Sequence, residues 1–181
     1  DALDIENMRQ LLDLARRQSD QARRLNLREW LLWQPRLPVL WAQLGYVERW
    51  MGHLSWSQLA REVQRELEPA SSDALFNLGV VSGERGPRQR LAAIELLALA
   101  QERGPRDPAY AWAGFHRAMF LLQSERPADA LAALEPLYGM ANMAGYWGRR
   151  VDALVALGRD EEASEARLRI ARILAEAKAG R

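Results

Sequence analysis

Residues 41–52 read WAQLGYVERWMG, and residues 75–86 read LFNLGVVSGERG. Trp41, Leu44, Gly45 and Gly52 of the first stretch recur as Leu75, Leu78, Gly79 and Gly86 of the second, every step being 34 residues. A large residue one helical turn before a Leu-Gly pair suits a helix that a neighbour must approach closely. The glycine leaves the gap and the large side chain fills the space beside it. The second glycine, seven residues on, ends the helix. A unit of this length is a pair of helices too small to bury its own apolar face, so copies must stack.

Working outward, apolar residues recur every three or four positions almost everywhere, and alternating β-branched runs are missing. Helix is the only supported period. Pro35, Pro38, Gly52, Pro69, Gly86-Pro87, Gly104-Pro105, Pro108, Pro127 and Gly158 cut this signal into short pieces. The pieces predict ten helices, over residues 2–18, 20–33, 38–51, 55–67, 72–84, 88–103, 107–124, 127–139, 142–157 and 160–178. Ser55, Ser72 and Asp107 stand where a side chain caps a helix start, and Pro87 and Pro127 where a first turn accepts proline. Short helices joined by short turns pack as antiparallel neighbours.

The pattern extends toward the C-terminus. Gly158-Arg159-Asp160-Glu161-Glu162-Ala163 forms a turn into a helix that opens on a small residue, with Trp147 in the place of Trp41. Pro127-Ala128-Asp129-Ala130-Leu131 repeats that turn one unit earlier, with Ala118 in place of the packing glycine. Period and motif resemble the tetratricopeptide repeat (TPR) family, over residues 38–178. The resemblance implies an all-α, right-handed superhelical array of antiparallel helix pairs. Residues 1–37 form a divergent N-terminal hairpin in this reading, and 38–181 one continuous array closed by a capping helix. That last helix carries a stripe of Ala163, Ala166, Ile170, Ile173, Leu174 and Ala177.

Some positions depart from the family. The turns after Gly52 and Gly86 are too long by two or three residues if Ala60 and Ala93 are the small residues of the second helices. Glu48 and Ser82 replace a tyrosine-type residue. Gly114 and Gly148 suggest a competing frame, against which the turns weigh more heavily.

Twenty-five basic and 24 acidic residues leave a net charge of +1, so no strong field draws nucleic acid or anionic lipid. Lys178 is the only lysine. A GC-rich bacterial genome accounts for that better than arginine-specific recognition. The chain has no cysteine, so disulfides, thiolate metal sites and cysteine nucleophiles are excluded. No apolar run reaches the ~18–20 residues of a membrane span. The first residue is Asp1 rather than methionine, which leaves room for a leader, an anchor or a further domain upstream.

Catalytic patterns are missing. Threonine is absent, the two histidines, His53 and His116, stand at no catalytic spacing, and no helical His/Glu pair suits a metal. Gly83-Glu84-Arg85-Gly86-Pro87-Arg88 lacks the lysine and hydroxyl of a phosphate loop, and Pro87 removes a needed N–H. The expectation is no enzyme, no metal and no cofactor. Seven tryptophans, five of them between Trp30 and Trp56, are chiefly helix-joint plugs, with Trp30 and Trp33 the best placed to meet another chain.

In the resembled family the first helix of each pair lines a concave surface that takes a peptide. Carried onto this sequence, that surface shows Tyr46, Arg49, Trp50, Phe76, Asn77, Trp112, His116 and Arg149, joined by Gln43, Val80, Phe115, Met119 and Asp152. Asn77 sits where some relatives hold a peptide backbone or terminal carboxylate, but their accompanying lysines are absent. The resemblance implies a scaffold binding another protein or peptide in a bacterial complex. The absence of cysteine favours a periplasmic over a cytoplasmic setting, the balanced charge argues against a nucleic acid partner, and the lack of a long apolar run argues against membrane insertion by this segment. An accessory domain of a glycan-handling or polysaccharide-export membrane protein, or a self-associating regulatory homodimer, are the alternatives.

Overall fold

In the computed structural model, residues 19–103, 108–140 and 144–179 are described. Among them every regular element is helical. The helices are α1 (Asp20–Trp33), α2 (Pro38–Trp50), α3 (Leu54–Leu67), α4 (Ser72–Glu84), α5 (Pro87–Arg103), α6 (Pro108–Leu122), α7 (Pro127–Leu134), α8 (Ala144–Ala156) and α9 (Asp160–Ala179). A 3-10 segment, Glu135–Met140, continues α7. The helix expected over residues 2–18 lies outside the described residues.

Local chemistry sets these limits. Ser19 and Ser71 cap α1 and α4, their side chains accepting from the backbone N–H of Ala22 and Ala74. Ser71, not Ser72, is therefore the cap. The start expected at Ser55 moves to His53, which caps α3 without a side-chain bond. Asp107 lies outside the described residues. Gly52, Gly86 and Gly158 have φ of 78°, 124° and 69°, turning the chain between paired helices where an L side chain would be strained. The helix expected over 127–139 loses α geometry after Leu134. Pro136 has no N–H for the ladder and its ring crowds the carbonyl four residues back, so the chain tightens into 3-10.

The chain divides into two units, Asp1–Ala70 and Ser71–Arg181, each with its own core. In the first, Leu27 and Leu31 of α1 pack with Leu40, Leu44 and Val47 of α2 and Ala60 of α3. The partner of Gly45 is Ser57, whose Oγ donates to the Gly45 carbonyl at 2.7 Å. The register is thus shorter than one counted to Ala60, and the turn after Gly52 carries no insertion. Arg61 lies under the same glycine, its Nε 2.7 Å from where a Cβ would stand, and donates to Gln64. Ser57, Arg61, Gln64 and Glu48 give this unit a buried polar layer.

In the second unit Leu75, Ala93, Leu97, Phe120, Leu134, Leu154 and Ala163 belong to one continuous core. Gly79 faces the Ala93 carbonyl and the Leu97 side chain, so here Ala93 is the small residue, but the turn itself is not lengthened, since α5 begins at Pro87 directly after Gly86. Ala118 and Ala130 are both fully buried. A Cβ on Gly148 would meet nothing within 4 Å, so Gly148 is no packing glycine. Along α9, Ala163 and Ala166 are buried and Ile170 and Ile173 pack against the core. Leu174 is half exposed and Ala177 is exposed, because α9 has 20 residues against 13 in its partner α8.

Candidate functional site

The first helices of successive pairs in the second unit, α4, α6 and α8, touch one another as well as their own partners. Their shared surface carries a run of aromatic contacts. Phe76 on α4 meets His116 on α6 at 5.8 Å between ring centroids, and His116 stands edge-on to Phe115 at 5.6 Å and 89°. Phe115 takes the Trp112 ring edge at 6.1 Å and lies under the Arg149 guanidinium of α8 at 5.8 Å. Its ring also rests on the Gly145 backbone, 3.5 Å from where a Cβ would stand. Edge-to-face rings and a cation over a ring face hold each other in place, so the surface is rigid.

Of the residues expected on this surface, Phe76, Trp112, His116 and Arg149 come together around Phe115. Trp112 stays 45% exposed, large for an aromatic ring so well braced. Val80 does not belong: it is buried at 3% exposure, as part of the core of the second unit. Met119 also leans on the core. Arg149 reaches Asp152 at 3.2 Å, one helical turn away. Asn77 donates through Nδ2 to both the backbone oxygen and Oδ2 of Asp73, each at 2.9 Å. Its amide hydrogens serve its own helix.

The first unit presents a separate set. Tyr46 and Trp50, one turn apart on α2, have ring centroids 6.0 Å apart, and Arg23 lies over Tyr46 at 5.5 Å while also bonding Gln43. Tyr46 is 43% and Trp50 66% exposed. Arg49 is half-buried beside them. Trp30 packs against the core of the unit, whereas Trp33 is 79% exposed.

Behind this surface lies an ion cluster of Glu48, Arg24, Arg28 and His53, whose grouping the sequence pattern did not disclose. Glu48 is completely buried, Oε1 accepting from Arg24 Nε at 2.7 Å and Arg28 at 2.8 Å, while Oε2 lies 2.9 Å from His53 Nδ1. Burial pushes the Glu48 carboxyl up, but hydrogen bonds from Arg24 and His53 and the charges of Arg24 and Arg28 outweigh it and hold the pKa below its usual value. The one available signal was Glu48 itself, a charge at a position that otherwise asks for a tyrosine.

Among the described residues no group of three or more His, Asp or Glu side chains is arranged to hold a metal ion. No helix among them is long and apolar enough to cross a membrane.

Stacked helix pairs with a close-packed small residue in each define a helical-repeat protein. The fold is that of tetratricopeptide-repeat structures. The chain is similar in structure to a double mutant of MamA RS-1 (TM-score 0.79, 16% identity, covering 90% of this chain and 89% of that one). It is also similar to PilW, described as a widely conserved type IV pilus biogenesis factor (0.77, 13%, 96% and 75%). A third likeness is to YrrB, a TPR protein described as having an unusual peptide-binding site (0.71, 15%, 92% and 81%). No protein-family model and no curated protein matches the sequence.

Proposed function

We propose that the chain is a protein-binding scaffold that holds a segment of another protein on the exposed face of its first helices, and that it acts by holding rather than by catalysis. The observation that carries this is the braced surface around Phe115, where Phe76, Trp112, His116 and Arg149 meet from three helices. Aromatic rings fixed in place lose little entropy on binding, and one cation beside them sets orientation. Tyr46, Arg49 and Trp50 offer the same chemistry on the first unit, and Asn77 contributes its side-chain oxygen. The partner segment is a peptide with apolar anchors and some polar groups, extended or helical.

A bacterial source suits the arginine-for-lysine composition, and the likeness to a type IV pilus biogenesis factor supports an envelope setting. Affinity capture from the native lysate, followed by mass spectrometry, tests the reading. A partner held by the wild-type chain should be lost with Trp112→Ala and with Phe115→Ala, while Trp112→Ala keeps the wild-type melting curve and Phe115→Ala still unfolds in one cooperative transition. Capture unchanged by both substitutions overturns it.

A second reading, self-association, has in its favour Leu168 and Leu174 on α9, which are 72% and 50% exposed. A monomer by sedimentation across micromolar concentrations removes it.

A further inference from the structure

The first unit has a second surface, on the other side of α2 from Tyr46 and Trp50. Leu44 lies two positions from Tyr46, and Glu48 two from both Tyr46 and Trp50, a rotation of about 200° around a helix of 3.6 residues per turn. There α1, α2 and α3 enclose a groove of about 360 Å³. Its floor is Leu44 and Ala60, nearly or fully buried, with Leu31 and Trp41 beside them. The Trp41 indole N–H donates to the Pro35 carbonyl at 2.8 Å, so this ring turns an apolar face to the groove without leaving a donor unmet. The walls are Leu32, Trp56 and Leu59, exposed by 80%, 55% and 47%. Exposed apolar walls over an apolar floor cost free energy until something covers them.

The charges say what covers them. The lining holds one cation, Arg28, and one carboxylate, Glu48. Glu48 is buried and shared by Arg24 and Arg28, so two guanidinium groups face one carboxylate and positive charge is in surplus. Arg28 is the more exposed of the pair. One edge of its guanidinium is held by Glu48 and one face lies over the Trp56 ring at 5.2 Å. A cation held in this way at the mouth of an apolar groove is pre-organised for a carboxylate. The volume is at the low end of the ~300–1,000 Å³ of ligand pockets, room for a few side chains of a short segment.

We propose that this groove is a second docking site, taking a segment of a partner protein that places bulky apolar side chains on Leu44 and Ala60 and an aspartate or glutamate on Arg28. The site is independent of the surface around Phe115. A scaffold with both holds two segments at once.

Panning a random dodecapeptide phage library on the full 181-residue chain tests this, with affinities of the selected peptides read by fluorescence polarisation. Peptides combining Leu, Phe or Trp with Asp or Glu should be enriched. Leu32→Ser and Leu59→Ser should each weaken them tenfold or more, with unchanged melting curves, while Phe115→Ala leaves them bound. Arg28→Gln should erase the preference for an acidic peptide over its asparagine or glutamine analogue. No enrichment, enrichment of basic peptides, or binding indifferent to Leu32→Ser and Leu59→Ser overturns the proposal. Binding lost with Phe115→Ala but kept by the groove variants also overturns it, and would instead support the first surface. A dimer in sedimentation that Leu32→Ser dissociates assigns the groove to a second copy, and overturns it too.

Discussion

Arg24 Nε and Glu48 Oε1 stand 2.7 Å apart, tying α1 to the buried side of α2. The carboxylate has no access to solvent, so its partners replace all the water it gave up on folding. Replacing Glu48 with glutamine keeps the shape but leaves Arg24 and Arg28 without a counter-charge. Both arginines retain some water, which limits the cost to about 1–3 kcal/mol. Urea titration of Glu48→Gln followed by tryptophan fluorescence should show that loss at pH 7. Because folding lowers the Glu48 pKa from 4.5, its contribution is complete above that pH and disappears as pH falls through the folded value. The gap between wild type and Glu48→Gln should therefore close below pH 4.5, and a gap constant with pH would contradict this assignment.

Gly83 and Phe120 form the closest glycine joint among the described residues of the second unit. A Cβ on Gly83 would stand 2.2 Å from the end of the Phe120 ring, which is 1% exposed and has nowhere to go. Gly83→Ala should destabilise the chain by about 1–3 kcal/mol through overpacking, even though alanine is the better helix former. Adding Phe120→Leu makes room for the methyl group. In a double-mutant cycle the pair should lose less than the two single changes together, and strict additivity would rule out the clash.

Two glycines near the C-terminus should respond in opposite directions. Gly148 lies inside α8 with open space around it, so Gly148→Ala should stabilise by about 0.5–1 kcal/mol. Gly158 holds φ at 69° in the turn between α8 and α9. There Gly158→Ala should cost about 1–2 kcal/mol, since an L side chain clashes with its own carbonyl. Thermal melts of the two variants compare these directly.

Leu27 and Trp33 lie on one helix, α1, with 0% and 79% exposure. Leu27→Ala empties a core position and should cost about 2–5 kcal/mol. Trp33→Ala removes a far larger side chain yet should stay within about 0.5 kcal/mol of wild type. A large loss from Trp33→Ala would mean that the indole is covered in solution.

What the sequence determined by itself is the helix-pair architecture. Periodicity requires only the neighbours along one helix, and glycine or proline punctuation acts within a few residues. Gly45, Gly52, Gly79, Gly86 and Gly158 thus placed the pairs and their turns, and the resemblance to a known repeat family put Trp112, Phe76, His116 and Arg149 on first helices. Tertiary structure decided everything that depends on which helix lies opposite. It put Ser57 rather than Ala60 against Gly45 and buried Val80 instead of exposing it. It turned the Asn77 amide hydrogens onto Asp73 and made Phe115 the centre of its surface. It also gathered Arg24, Arg28 and His53 around Glu48. A charged residue at a core position signals only that a partner must exist. Which groups answer it is set by the packing of one helix on the next, and no periodicity within a single helix encodes that.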